Sequence, residues 1–153
     1  MNLAFTVAVQ ILKPIDEVFD AVYNPKKLKE YFTTAGASAP MDANTTVMRE
    51  FADYPGAFPV YVKTCILNEQ ITFEREAADG GYNTTVVFEF IKKGDGVTTV
   101  KISESWRKES EKNLAQSYNQ CQGRTQMSCC LKAYLEYGIN LRKGFFDPTD
   151  IWL

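Results

Sequence analysis

Ile11-Leu12-Lys13-Pro14-Ile15-Asp16-Glu17-Val18-Phe19-Asp20-Ala21-Val22-Tyr23-Asn24-Pro25 is the stretch in which the hydrophobic period of the chain changes. Before it, Leu3, Phe5, Val7 and Val9 lead to Ile11 on alternate positions, the mark of a strand with one buried face. Within it, Ile15, Val18, Phe19 and Val22 recur at helical spacing, and Pro14 stands where a first helical turn tolerates a missing N–H. Asn24-Pro25 closes this short helix, because the residue before a proline is pushed out of the α region. A second short helix is expected over 26–32, with Leu28, Tyr31 and Phe32 as its apolar side, and a loop over 35–40.

Further along, the period returns to two. Strands are expected over 45–51, 60–67, 70–76, 82–92 and 97–107. Turn residues separate them: Asp53-Tyr54-Pro55-Gly56, Asn68-Glu69, Asp79-Gly80-Gly81 and Lys93-Gly94-Asp95-Gly96. Consecutive strands on short turns make an antiparallel meander, not parallel βαβ units. The last element reads as one long helix over about 113–143. Asn113 and Gln116 have the spacing of a capping box, and Arg142 and Lys143 suit the negative end of the macrodipole. Gly144 suits a left-handed cap, and Pro148 bars continuation. The expected fold class is α+β: a curved antiparallel sheet around a long C-terminal helix, with two short helices after the first strand. With no linker or repeat, residues 1–153 read as one domain.

The formal net charge of -2, without a basic stripe beyond Lys26, Lys27 and Lys29, argues against nucleic acid as a partner. No apolar run approaches the roughly 20 residues of a membrane span. The first residues lack a basic leader and alternate in character, so a strand is expected there and the cytosol as compartment. Cys65, Cys121, Cys129 and Cys130 are then expected as thiols. The chain contains no histidine, which removes the commonest general base and metal ligand. The cysteines lack paired C-x-x-C spacing, so neither a metal nor another cofactor is expected.

The segment from Ile11 to Pro25, followed by a meander and a final helix, resembles the opening of the START/Bet v-like (SRPBCC, helix-grip) superfamily. Within it the chain is most similar to the branch related to the activator of heat-shock-protein ATPase, as is the hairpin Gly94-Asp95-Gly96-Val97-Thr98-Thr99-Val100-Lys101-Ile102. The resemblance covers about 3–143 and implies the helix-grip fold, a gap between sheet and helix, and functions as varied as ligand binding, cyclase-type catalysis and chaperone interaction. Where members of the branch often carry Gly-Trp in the final helix, this chain has Gly123-Arg124.

A site follows from residues that fit their elements badly. One face of the final helix collects Gln116, Gln120, Gly123, Arg124, Met127, Leu131, Tyr134, Leu135 and Gly138, polar in its first half and apolar in its second. A mid-helix glycine costs roughly 1 kcal/mol against alanine, so Gly123 suggests close approach of a ligand or strand. The other reading is that this half lifts off the sheet and its glutamines are solvated. On the strands, parity places Glu104 with Ile102 and Trp106, Arg75 with Phe73, and Arg49 with Val47 and Phe51. An inward Glu104 needs a partner, and Arg75 is the expected one, with Arg49 joining them. Such a constellation could orient a carboxylate, enol or phenol; equally, it could be a structural ion pair or a solvated strand end. Cys129-Cys130 point about 100° apart on a helix and read as core filler rather than a chelating pair.

Arg49, Arg75, Glu104, Trp106, Gln120, Gly123, Arg124 and Met127 are therefore the candidate pocket residues. The favoured function is binding of a small hydrophobic or amphipathic molecule. The alternatives are a histidine-free cyclase or hydratase using Glu104 or a tyrosine, and a co-chaperone-like module with a chaperone partner. The apolar tail 145–153, with Phe145, Phe146, Ile151 and Trp152, is expected to dock on the domain or to form a homodimer.

Overall fold

The structure, a computed structural model, describes residues 2–77, 80–147 and 149. Its elements follow the order strand, two helices, six strands and a long helix. Strand β1 (Asn2–Ile11) shows the alternation that its sequence demands, half-buried at Leu3, Phe5, Val7 and Val9 and buried at Ile11. Helix α1 (Ile15–Tyr23) starts just after Pro14, which stands at the N-cap position with extended backbone and no side-chain capping bond. Asn24 adopts the extended backbone expected before proline and caps α2 (Pro25–Lys29) by accepting the Lys26 N–H. This second helix is shorter than expected. Tyr31 leaves it and is buried, its hydroxyl donating to Ala21 O at 2.8 Å.

Strands β2 (Gly36–Ala37), β3 (Thr46–Phe51), β4 (Tyr54–Ile66), β5 (Gln70–Glu76), β6 (Asn83–Gly94) and β7 (Val97–Lys108) form the meander. All neighbours are antiparallel in the order β1-β7-β6-β5-β4-β3-β2, so first and last strands lie side by side. The turn expected at 53–56 falls earlier, at Ala52 and Asp53, and Tyr54 already pairs with Phe51 as the first residue of β4. Helix α3 (Glu111–Tyr137) is offset from its expected range at both ends. Ser110, not Asn113, is its N-cap and accepts the Asn113 N–H at 3.0 Å. Gly138, not Gly144, closes it in the left-handed region at φ 66°. Pro148 and residues 150–153, Ile151 and Trp152 among them, lie outside the described residues.

The sheet, α1 and the apolar side of α3 enclose a core that includes Ile11, Val18, Ile71, Phe88, Ile102, Met127 and Leu131. Helix α3 also covers edge strand β1. Lys132 Nζ donates to Gln10 O at 2.7 Å, and Leu12 N–H donates to Glu136 Oε2 at 3.2 Å. An uncovered edge invites pairing with another chain, so these bonds remove a hazard as well as adding stability. Among the described residues no helix is long and apolar enough to cross a membrane, and no cluster of His, Cys, Asp or Glu could hold a metal ion. The cysteines are all free.

Candidate ligand-binding site

Strands β3, β4 and β5 and the first two-thirds of α3 leave a cleft of about 370 Å³ between sheet and helix. Its sheet side carries Arg49, Phe51, Phe58, Val60, Phe73 and Arg75. Its helix side is the amide-rich face with Gln116, Gln120, Gly123, Arg124 and Met127. Phe32 adds to the wall, and Arg142, Phe145 and Phe146 border it from beyond the helix. A β-carbon built on Gly123 meets nothing within 4 Å, so no strand approaches there; the space beside the glycine belongs to the cleft.

Aromatic rings and guanidinium groups alternate around the walls. Phe51 stacks on Phe58 with centroids 5.8 Å apart and meets Phe32 edge-on at 4.9 Å. The Arg49 guanidinium lies 5.0 Å from the Phe73 centroid and 6.0 Å from that of Phe32. Arg124 lies 5.8 Å from the same Phe73 ring, and Arg75 lies 5.5 Å from Phe58. Each such contact supplies roughly 0.5–2 kcal/mol, more when water is excluded. Arg75 Nη1 also donates to Gln120 Oε1 at 3.3 Å, which joins sheet to helix across the cleft. Arg142 forks onto Asp53 at 2.5 and 2.9 Å and lies 4.9 Å from both Phe51 and Phe146.

Six of the eight expected residues, Arg49, Arg75, Gln120, Gly123, Arg124 and Met127, line this one cleft. Glu104 and Trp106 do not. Between Leu3 and Phe5 of β1, strand β7 advances three residues, from Arg107 to Glu104, so it carries one extra residue: a β-bulge. Trp106 sits in it with φ 70° and is 62 % exposed, the opposite of its expected inward position. The inserted residue reverses parity, and Arg107 turns inward instead. Arg107 Nη2 then donates to Glu104 Oε1 at 3.0 Å, with both side chains almost completely buried. The partner of Glu104 is therefore Arg107, not Arg75. Arg124 Nε lies 3.9 Å from the other carboxylate oxygen, too far for a hydrogen bond.

The reach of Arg142 escapes the sequence reading, and the aromatic residues around it are placed there from sequence only by parity and by the expectation of a docking tail. Phe51 and Phe58 have inward parity, yet their pairing depends on the β3–β4 register. Arg142 reaches Asp53, 89 residues away, and only the early end of α3 permits this. No local signal marks it. Phe145 and Phe146, with ring centroids 5.2 Å apart, border the cleft through the same reversal of the chain.

The architecture is that of the helix-grip class. The model of the family described as activator of Hsp90 ATPase homolog 1-like proteins matches residues 13–136, and the chain belongs to that family. Among solved structures it is similar to the protein SSP2350 from Staphylococcus saprophyticus, at 21% identity and TM-score 0.77, covering 92% of this chain and 96% of that one. It is similar also to DynU16, a protein of the dynemicin biosynthetic locus, at 24% identity and TM-score 0.75 over 88% of this chain; the match spans 48% of DynU16. The Aha1 dimer from Colwellia psychrerythraea matches at 16% identity and TM-score 0.70, over 89% and 98% of the two chains. These likenesses establish the fold. No curated protein sequence matches at a significant level.

Proposed function

We propose that the protein binds a small hydrophobic or amphipathic molecule between its sheet and α3. The observation that carries this reading is the cleft itself: about 370 Å³, walled by phenylalanines, with room beside Gly123 where a side chain would otherwise fill it. Ligand pockets have this size range, an apolar wall and a few convergent polar groups. Here the polar groups are arginines and glutamines. The test is native mass spectrometry of gently purified protein, with thermal shift across a panel of aromatic and aliphatic compounds. A true ligand at a hundred times its Kd adds about 2.7 kcal/mol of stability, a shift of several degrees. A panel without shifts, on protein that carries no small molecule, would refute the reading.

The acid–base role considered for Glu104 finds no support in this geometry. Its carboxylate is committed to Arg107, with Arg124 at its far side, and it does not line the cleft. Family membership supports a second reading, contact with a heat-shock-protein ATPase. Stimulation of that ATPase by the purified chain would establish it, and an unchanged turnover rate would set it aside. Docking or dimerisation through residues 145–153 is part of the same proposal, since Phe145 and Phe146 border the cleft. Deleting those residues should lower the melting temperature or halve the solution mass.

A further inference from the structure

Four arginines, Arg49, Arg75, Arg124 and Arg142, line the cleft; among the described lining residues there is no Asp or Glu. Arg142 has Asp53 within ion-pair reach, and Arg124 has the Glu104 that Arg107 also holds. Arg49 is different. It is 1 % exposed, and among the described residues no carboxylate lies within ion-pair reach of it. Its Nε has no hydrogen-bond partner, and its Nη2 donates to the thioether of Met41 at 3.5 Å, a weak acceptor. The rings of Phe73 and Phe32 attract the cation but bring neither net negative charge nor a strong acceptor.

Burial, the positive charge of Arg124 and that of Arg75 push the Arg49 guanidinium down to about 9, with buried Tyr31 acting the other way. It is still charged at neutral pH. A buried charge lacking both counter-charge and acceptors is among the costliest arrangements in a protein. A purely structural arginine would have drawn acceptors from its own chain, as Arg142 does from Asp53. Arg49 instead lies against a cleft that a small molecule can enter.

We infer that the molecule bound in the cleft is an amphipathic carboxylate, with its head on Arg49 and its apolar body against Phe51 and Phe58. The inference rests on the binding reading above and adds the sign and position of the ligand's charge. A carboxylate would satisfy the guanidinium in charge and in hydrogen bonds at once, since its two oxygens match the planar fork. The amides of Gln116 and Gln120 on the facing helix can accompany the head without adding negative charge.

The test is calorimetric titration of the full chain with matched acid and amide pairs: 2-naphthylacetate and its amide, 4-phenylbutyrate and its amide, dodecanoate and its amide. At least one acid should bind tenfold or more tightly than its amide. Arg49→Met should bring that acid to the level of its amide and leave the amide's affinity within about threefold. Arg49→Lys, which keeps the charge and loses the fork, should retain part of the difference and guards against misfolding of the first variant. Without ligand, Arg49→Met should melt at or above the temperature of the parent, because it removes an uncompensated buried charge; a structural role would lower it. Equal affinities for acid and amide would overturn the charge inference while leaving the binding reading intact. A difference that survives in Arg49→Met would overturn the assignment to Arg49. No binding in any pair would overturn both.

Discussion

Replacing Gly123 with alanine is expected to stabilise the protein, although the substitution lies against the proposed binding site. Gly123 is near the middle of α3, and its backbone lies outside the left-handed region. A mid-helix glycine is less favourable than alanine by about 0.8–1 kcal/mol, mainly through backbone entropy retained in the unfolded chain. This gain is usually offset where the new methyl group meets a neighbour, but here the added carbon meets nothing within 4 Å. The expected gain is therefore about 1 kcal/mol, or roughly 2–4 °C in melting temperature for a chain of this size. Circular-dichroism melts and urea midpoints at unchanged slope measure it. Gly138 provides the opposite control. Its φ is 66°, so Gly138→Ala should cost about 1 kcal/mol, because a β-carbon is disfavoured in that conformation. If Gly123→Ala proves neutral or destabilising while Gly138→Ala behaves as stated, the space beside Gly123 is filled in solution. Gly123→Leu extends the argument to function: it should fold as stably as the parent and lose the ligand-induced thermal shift.

Glu104→Gln should lower stability by about 3 kcal/mol, because it leaves Arg107 buried without its counter-charge, and adding Arg107→Met should recover most of the loss in urea titrations. Burial pushes the Cys130 thiol up to about 11 and also raises Cys65, so neither is a thiolate at neutral pH; iodoacetamide should label exposed Cys129 first and Cys130 last by peptide mass. Burial tends to raise the Glu136 carboxyl, but the Lys132 ammonium and the Leu12 N–H outweigh it and hold the group below its usual range. A group lowered on folding contributes stability that is present above its unfolded value, near 4.5, and lost as pH falls through the folded one; the urea midpoint should drop below about pH 4.5, and Glu136→Gln should shrink that drop.

Period-two parity places Arg49, Glu104 and Trp106 inside, and two of the three are buried. The pattern is legible because a strand with one wet face must alternate, which is also why every long strand of the meander can be located from sequence. Parity is a running count, however, and an inserted residue reverses everything after it. Nothing in Ser105-Trp106-Arg107 marks the insertion: the position with positive φ is filled by tryptophan, not by the glycine or asparagine that would have signalled it. Glycine misleads in the other direction at the end of α3. Gly138 and Gly144 are both left-handed, so such a residue marks a turn of the chain without saying which turn ends the helix. The site inherits that ambiguity, since Arg142, Phe145 and Phe146 reach the cleft only because the helix stops at Tyr137.

The bulge at Trp106 also bears on the chemistry of the cleft. In a regular strand, residues three apart face opposite sides, so Arg107 would point away from Glu104. The extra residue puts both on the inner face, and the 3.0 Å bond between them commits one carboxylate oxygen to an arginine that does not line the cleft. Arg124 is left at 3.9 Å from the second oxygen, and Arg49 has no carboxylate in reach among the described residues. The inserted residue on β7 thus draws part of the Glu104 charge away from Arg124, one of the four arginines of the cleft wall. On this reasoning, restoring regular pairing there would free Glu104 toward Arg124 and weaken the binding of an anionic ligand without altering any residue that touches it.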